Sequence, residues 1–564
     1  MLLPADENPP DDILSADVCI IGAGPAGMAL ARRLRKEALR LCILESGDLF
    51  PDDLSQKLNE GVIETPHSVR NYSTTSSRLR GVGGTANAWN VQLTADEPPR
   101  LARFAPLDES DFARRPWVAG SGWPWGKADL DPHYEVAQSL CGLGPFEYSP
   151  TPWKDDRHRP LGLGDRIRTS VFQLGDREVW TDAGPRELGQ ARNVTLCPRA
   201  TVTDLETNEA HTTVTGCLAA RPGERGLRVS ARVFVLACGG IENARVLLSS
   251  ANSERRALGN GSGLVGRFFM EHPIVRMGDL WPARRGAFEE AGLYDLRRVR
   301  GTAIMGHLSL TDEALRREEI LSVGMVLVPR PRPRVPGALR SLKEFAAVRR
   351  ERLPGKPAAQ VRSIVTGASG TALYAYDRFV KDAYFHSMNR GGWARREGNA
   401  SRYRLWQVFG GIEQAPDASN RVSLGNERDD LGQRQVRLQW GWREAELETL
   451  RRAQSILEED CTRTSFGRFV ASRFDGEPPP LHGAHHHLGT TRMDADPARG
   501  VVDADCGVHG VGNLYLAGAS VFPTSGYVNP TLTVVALAVR LADHIAQELR
   551  PPTLPPARQR DANA

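Results

Sequence analysis

Toward the C-terminal end of the chain, His486-His487-Leu488-Gly489-Thr490 is followed by Tyr527-Val528-Asn529-Pro530-Thr531. Histidine, with an ordinary pKa of about 6.5, accepts a proton at neutral pH. A carboxamide can hydrogen-bond the same oxygen and hold the carbon beneath it in a fixed orientation. Together they suit the oxidation of an alcohol, in which a proton leaves oxygen and a hydride leaves carbon. At the other end of the chain, Gly22-Ala23-Gly24-Pro25-Ala26-Gly27 has the spacing of a nucleotide-phosphate loop. The two ends are expected to meet in one site.

The elements that must position these groups begin with residues 17–21, an apolar strand leading into the glycine loop. Residues 26–37 have helical composition, and 39–44 form a second buried strand ending at Glu45. This is the strand–loop–helix–strand context that a dinucleotide fingerprint requires. Gly22 permits the tight turn, Gly24 lets backbone approach a pyrophosphate, and Gly27 lets helix and strand pack closely. The helix N-terminus then faces the phosphates. Glu45 is placed to accept from ribose hydroxyls and to repel a 2′-phosphate, which favours FAD or NAD over NADP.

A second glycine loop spans Arg80-Gly81-Val82-Gly83-Gly84-Thr85-Ala86-Asn87-Ala88-Trp89. It reads as a backbone-amide cradle with Asn87 as a side-chain donor, or as a turn capping a helix. Strand patterns recur at 194–205, 227–236, 402–410 and 436–442, with the last two in a second sheet. A helix is expected after Gly122-Trp123-Pro124-Trp125, capped by Asp129 or Asp131 with Pro132 in its first turn, and another at 444–459. In the strand at 402–410, Gln407 and Phe409 share one face and Trp406 takes the other. Residues 330–352 are basic and proline-rich, the pattern of a solvated face.

Composition narrows the class. The 564 residues exceed one compact core, and 72 basic against 68 acidic residues is too even for nucleic-acid binding. No apolar run has the length of a membrane helix and no signal peptide is visible. The eight cysteines lack zinc or disulfide spacing. A cytoplasmic protein without a nucleic-acid or membrane partner is expected. The run His485-His486-His487 invites a metal, but consecutive side chains diverge and no acidic or cysteine ligand stands at short spacing, so none is expected.

On the GAGPAG loop with Glu45, the Gly-Gly-Thr loop, Ala237-Cys238-Gly239-Gly240-Ile241-Glu242-Asn243-Ala244-Arg245, and the segments 486–493 and 513–531, the chain resembles the glucose–methanol–choline (GMC) family of flavin oxidoreductases. The stretches GLVGRFFMEHP (263–273) and GWPW are similar to its bacterial sugar-oxidising branch, the pyranose oxidases and related glycoside dehydrogenases. The resemblance implies an α/β fold, α+β overall. A Rossmann-like FAD-binding domain with a parallel sheet would be assembled from 1–105, 190–270 and 481–564. A substrate domain on a mixed or antiparallel sheet would come from 106–189 and 271–480.

The resemblance also implies roles. His486, three residues before Gly489, takes the family's catalytic-histidine position, and Asn529 takes that of its partner beside the flavin. Cofactor contacts are implied for Gly22, Ala23, Gly24, Pro25, Ala26, Gly27, Glu45, Ser46, Arg80, Gly83, Gly84, Thr85, Asn87, Ala88, Trp89, Val202, Ala237, Gly239, Gly518, Ala519, Asn529 and Thr531. Apart from the resemblance, Gln407 and Phe409 on the 402–410 strand suit hydrogen bonding and stacking with a sugar ring, and with His487 they are the expected substrate contacts. Ala88 stands where some relatives carry a flavin-linking histidine, so FAD is expected to be non-covalent. The implied reaction is oxidation of a pyranose, glycoside or polyhydroxylated alcohol to a carbonyl, with oxygen or another electron acceptor. The alternatives are a lyase of the same fold with a structural flavin, or an oxidase of a non-sugar alcohol such as an aminoglycoside or sterol intermediate. The sequence leaves the oligomeric state open.

Overall fold

The computed structural model describes residues 13–550, apart from 71, 95, 221–225, 251–257, 331–364, 366–386, 396–397 and 475–476. The basic stretch at 330–352 therefore lies, beyond Arg330, outside the described residues. The Leu41–Leu44 strand reads Leu-Cys-Ile-Leu and is buried throughout, the pattern of a strand covered on both faces. It lies in a parallel array ordered Val194–Cys197, Leu41–Leu44, Ile13–Ile21 and Leu227–Leu236, which Leu514–Leu516 joins along the outer side of the last strand. An antiparallel pair, Val214–Ala220 and Thr201–Thr207, extends this sheet. The sheet thus draws strands from near both ends of the chain and from its middle.

Local chemistry explains where these elements depart from expectation. The first strand starts at Ile13, because its early residues pair with Arg228, Val229 and Ser230. The stretch at 194–205 is two strands, separated where Pro198 precedes Arg199 at φ 56°. Helix Pro25–Leu34 follows the first strand, and the largely buried Thr531–Glu548 helix packs against it and against Lys127–Leu140. In Lys127–Leu140 the helix starts earlier than expected. Asp129 accepts from the Gly126 amide at 2.9 Å, and Pro132 lies within the helix.

A second, antiparallel sheet has the order Gly467–Ala471, Ile274–Pro282, Leu405–Ile412, Val323–Arg330, Thr302–Leu310, Ile167–Asp176 and Leu101–Phe104. Along Leu405–Ile412, Trp406 and Val408 are buried and Gln407 and Phe409 half-buried, the alternation expected of a strand with two different faces. Leu101–Phe104 falls in the stretch expected to belong with the nucleotide domain, yet it edges this sheet. The strand expected at 436–442 is not part of it either. Arg434–Gln439 instead pairs with Arg421–Arg428 and, in parallel, with Gly61–Glu64 in a separate three-stranded sheet. The architecture is α/β, a parallel nucleotide-type sheet beside an antiparallel one. Among the described residues no helix is long and apolar enough to cross a membrane, and all eight cysteines are free thiols.

Candidate active site

One cavity of about 650 Å³ runs between the two sheets. Gly22, Gly24, Pro25 and Ala26 line it, where the first parallel strand turns into its helix. Gly22 adopts φ 108°, and a Cβ there would stand 2.6 Å from the Ala237 carbonyl oxygen. A Cβ on Gly27 would stand 2.0 Å from the Gly22 oxygen, so Gly27 and Ala23 shape the loop from behind rather than line the cavity. Gly239 and Gly518, at φ 86° and 119°, present bare backbone to the cavity with nothing within 4 Å of a Cβ position. Such naked backbone beside a helix N-terminus fits a dinucleotide whose phosphates and flat ring approach the chain closely.

Four residues expected to touch the cofactor hold the loops, Glu45 and Arg80 while still lining the cavity and Asn87 and Gly83 from behind its wall. Glu45 Oε2 accepts from the Ala23 amide at 2.8 Å, and Oε1 from the Gly47 and Gly81 amides at 2.9 and 3.0 Å. Its carboxylate clamps the first glycine loop to the second, and burial pushes its pKa up against these three donors. It still lines the cavity, so any ribose contact uses what acceptor capacity remains at Oε2. Asn87 lies off the wall and donates from Nδ2 to the Val82 and Gly84 carbonyls, both at 3.0 Å. Gly83 is also off the wall, its amide donating to the Ala23 carbonyl at 2.9 Å. Arg80 reaches the cavity but is spent on Glu242 at 2.8 Å, Asn59 at 2.9 Å and Ser46 at 2.8 Å. Despite burial, Arg80, Arg245 and Arg78 hold Glu242 at about 2. Ser46, Gly84, Thr85, Ala88, Trp89, Val202, Ala237, Ala519 and Thr531 all line the cavity.

The histidine loop crosses the cavity between two anchors. The Met270 and Leu488 backbones exchange hydrogen bonds at 3.0 Å, and the Gly489 amide donates to Ala519 at 3.1 Å. A Cβ on Gly489 would stand 2.2 Å from the Phe268 oxygen, which explains a glycine at φ 80° here. The buried Glu271 ties the loop down. Oε1 accepts from the His272 and His486 amides, both at 2.8 Å, and Oε2 from the His485 amide at 2.9 Å. Burial pushes its carboxyl up to about 7, against the three amides that favour its ionised form.

The three consecutive histidines diverge. His486 Nδ1 stands 2.9 Å from His272 Nδ1, His487 Nε2 stands 2.9 Å from the Tyr72 hydroxyl, and the His485 ring lies against Tyr72. Burial pulls His486 well below the usual histidine range, with His272 and its neighbouring histidines adding to the effect, so it is neutral at pH 7. Asn529 lines the same cavity, and its side chain has no hydrogen bond to another described residue. It is not the cap of the helix that follows. Pro530 takes that position without a side-chain cap, and its carbonyl accepts from the Val534 amide at 2.9 Å.

The antiparallel sheet supplies the facing wall. Phe409, Gly410, Gly411, Gly324 and Val326 line it, whereas Gln407 does not, its Oε1 accepting from Arg330 Nε at 2.8 Å. His487 reaches the cavity wall, but its ring is turned to Tyr72.

Sequence reasoning missed several groups here. Tyr527 donates to or accepts from His307 Nε2 at 3.0 Å, and His307 stacks on Phe172 with ring centres 3.8 Å apart. Arg103 enters the wall beside Met388 and Asn389, donating to the Met388 carbonyl and to Asn389 Oδ1 at 3.1 Å. Most directly, His272 and Glu271 lie within the GLVGRFFMEHP stretch. A carboxylate and a histidine side by side in an apolar run already signal a buried polar pair, since such groups enter cores only with partners.

Residues 416–538 match the family model described as GMC oxidoreductase. Residues 17–54, the strand–helix–strand unit around the first glycine loop, match the model described as Lycopene cyclase protein. The chain is 24% identical to the fructose dehydrogenase large subunit of Gluconobacter japonicus, over 96% of this chain and 99% of that one. It is 25% identical to 6'''-hydroxyparomomycin C oxidase of Streptomyces lividus, over 94% and 92% of the two chains. A variant of the formate oxidase of Aspergillus oryzae RIB40 superposes with a TM-score of 0.51 at 18% identity, covering 95% of this chain and 98% of that one, which shows a shared fold.

Proposed function

We propose that this chain is an FAD-dependent oxidoreductase of CH–OH groups of the GMC type, and that it oxidises a hydroxyl of a pyranose, glycoside or amino sugar to a carbonyl. The observation that carries this reading is a single cavity with the glycine-loop helix start along one wall and His486 with Asn529 on another. When bound, FAD supplies the hydride acceptor. The protein's own groups do the rest. His486, neutral because it is buried, takes the hydroxyl proton. Asn529, whose carboxamide bonds to no other described residue, hydrogen-bonds the same oxygen and fixes the direction of the C–H bond. The half-buried Phe409 offers an apolar face to a sugar ring.

The flavin is held without a covalent link. Ala88 has no nucleophile, and the Cys238 thiol on the wall donates to the Ile21 carbonyl at 3.1 Å and is driven far above its ordinary pKa by burial. A sugar substrate is further supported by relatives named for fructose, paromamine and C-glycosides. The test is anaerobic bleaching of the flavin band with D-fructose, D-glucose, methyl β-D-glucopyranoside and paromamine, followed by admission of air. Bleaching by at least one is expected, and the rate of recovery in air separates oxidase from dehydrogenase. A protein that takes up FAD but is bleached by none of them would refute the substrate class.

A further inference from the structure

We infer that His272 is a positioning residue that fixes the tautomer of His486: it accepts the His486 Nδ1 proton and thereby leaves the His486 Nε2 lone pair as the base. This deepens the reading above and rests on it for the role of His486, though not for the tautomer itself.

The geometry has two parts. First, two ring nitrogens 2.9 Å apart share one proton, so one imidazole donates and the other accepts. Second, the far side of His272 decides which. The backbones of Ser525 and Gly526 beside the ring favour a proton on it, and with Nδ1 turned to His486 the nitrogen left to carry that proton is the buried Nε2, which has no hydrogen-bond partner among the described residues. With the His272 proton on Nε2, its Nδ1 is an acceptor and His486 must donate. The opposite arrangement would leave His272 Nε2 bare and place a proton on His486 Nε2, turning the base into an acid. The identity of the unprotonated nitrogen in such a pair is set by what the other nitrogen meets.

The backbone keeps this pair in register. Glu271 Oε1 accepts from the amides of both histidines, so one buried carboxylate sets the spacing of the two rings through their main chains. The rings meet nearly edge-on, with centres 5.0 Å apart and planes at 80°. Burial moves both imidazoles below their ordinary pKa, His272 to about 4, so the shared proton lies between neutral rings.

The test compares His272→Leu, which has no acceptor, with His272→Asn, whose amide oxygen can occupy the place of Nδ1. The first readout needs no substrate: holoenzyme labelled with 15N-histidine, with the His486 ring signals assigned by His486→Gln. His486 Nε2 is expected to be unprotonated in wild type and in His272→Asn, and protonated in His272→Leu. The second readout is flavin reduction by whichever panel sugar bleaches fastest. His272→Leu is expected to lose roughly 10²- to 10⁴-fold in the limiting rate with the substrate saturation constant little changed, and His272→Asn to recover most of that loss. A protonated Nε2 in the wild type overturns the inference. So does a His272→Leu enzyme that reduces at close to the wild-type rate, or a His272→Asn enzyme as slow as His272→Leu. If His272→Leu does not fold, the wild-type and His272→Asn spectra decide alone. Absence of bleaching by every panel sugar would count against the substrate class and leave the tautomer measurement standing.

Discussion

Glu45→Gln isolates the clamp between the two glycine loops. In the native chain the carboxylate takes three backbone amides, two on Oε1 and the Ala23 amide on Oε2 at 2.8 Å. A glutamine can place its carbonyl where Oε1 stood and keep Gly47 and Gly81. Its NH₂ then faces the Ala23 N–H, donor against donor. The loss combines a charge-assisted hydrogen bond with a buried donor left unsatisfied, and removal of a buried charge offsets part of it, leaving about 2–3 kcal/mol. Ala23 sits inside the phosphate loop, so this cost falls on the loop conformation that FAD requires. At about 1.4 kcal/mol per decade, FAD should bind on the order of 30- to 150-fold more weakly. The assay is titration of apoprotein with FAD, followed by quenching of flavin fluorescence, with thermal melting of the apoprotein in parallel. Binding within threefold of wild type, with unchanged melting, would show that the amides find other acceptors and that Glu45 is no clamp.

Four further outcomes follow from the same structure. His486→Ala should lower the rate of flavin reduction by roughly 10²- to 10⁴-fold, about 2.7–5.4 kcal/mol of barrier, with the bound-flavin spectrum intact; a loss under tenfold in stopped-flow traces would remove it as the base. Because burial depresses the His486 pKa, the base stays unprotonated above pH ~6.5. The reduction rate should therefore be flat from there to neutral pH and fall only at lower pH, as a pH series would record. Gly324→Ala would set a Cβ 2.2 Å from the Tyr527 ring, an overpacking worth about 1–3 kcal/mol that should lower the melting temperature; an unchanged melt would mean that the ring moves freely. Heat denaturation followed by filtration should release the yellow colour into the filtrate, whereas colour retained with the protein would establish a covalent link.

Much of the site was legible because its chemistry depends on local spacing. Whereas the glycine after His486-His487-Leu488 is required by Phe268 from another segment, the tight turn at Gly22 (φ 108°) and the close approach of Gly27 to the Gly22 oxygen belong to one loop. The strand alternation that separates Phe409 from Trp406 is likewise a property of neighbouring residues. What misled was assigning a free side chain to every polar residue in a binding motif. Asn87 and Glu45 turn to amides and carbonyls of the loops, and Gln407 to Arg330, because buried backbone groups need partners as much as a ligand does.

The sequence by itself determined the kind of chemistry and the cofactor loop, since glycines, a histidine and a carboxamide at these spacings allow few alternatives. Only the tertiary structure decided which groups surround them. His272 and His486 are far apart in the chain, and their 2.9 Å approach depends on Glu271 joining two segments and on Gly489 lying flat against Phe268. Periodicity along one segment carries no information about the distance to another. The nitrogen on which His486 carries its proton is therefore a property of the fold.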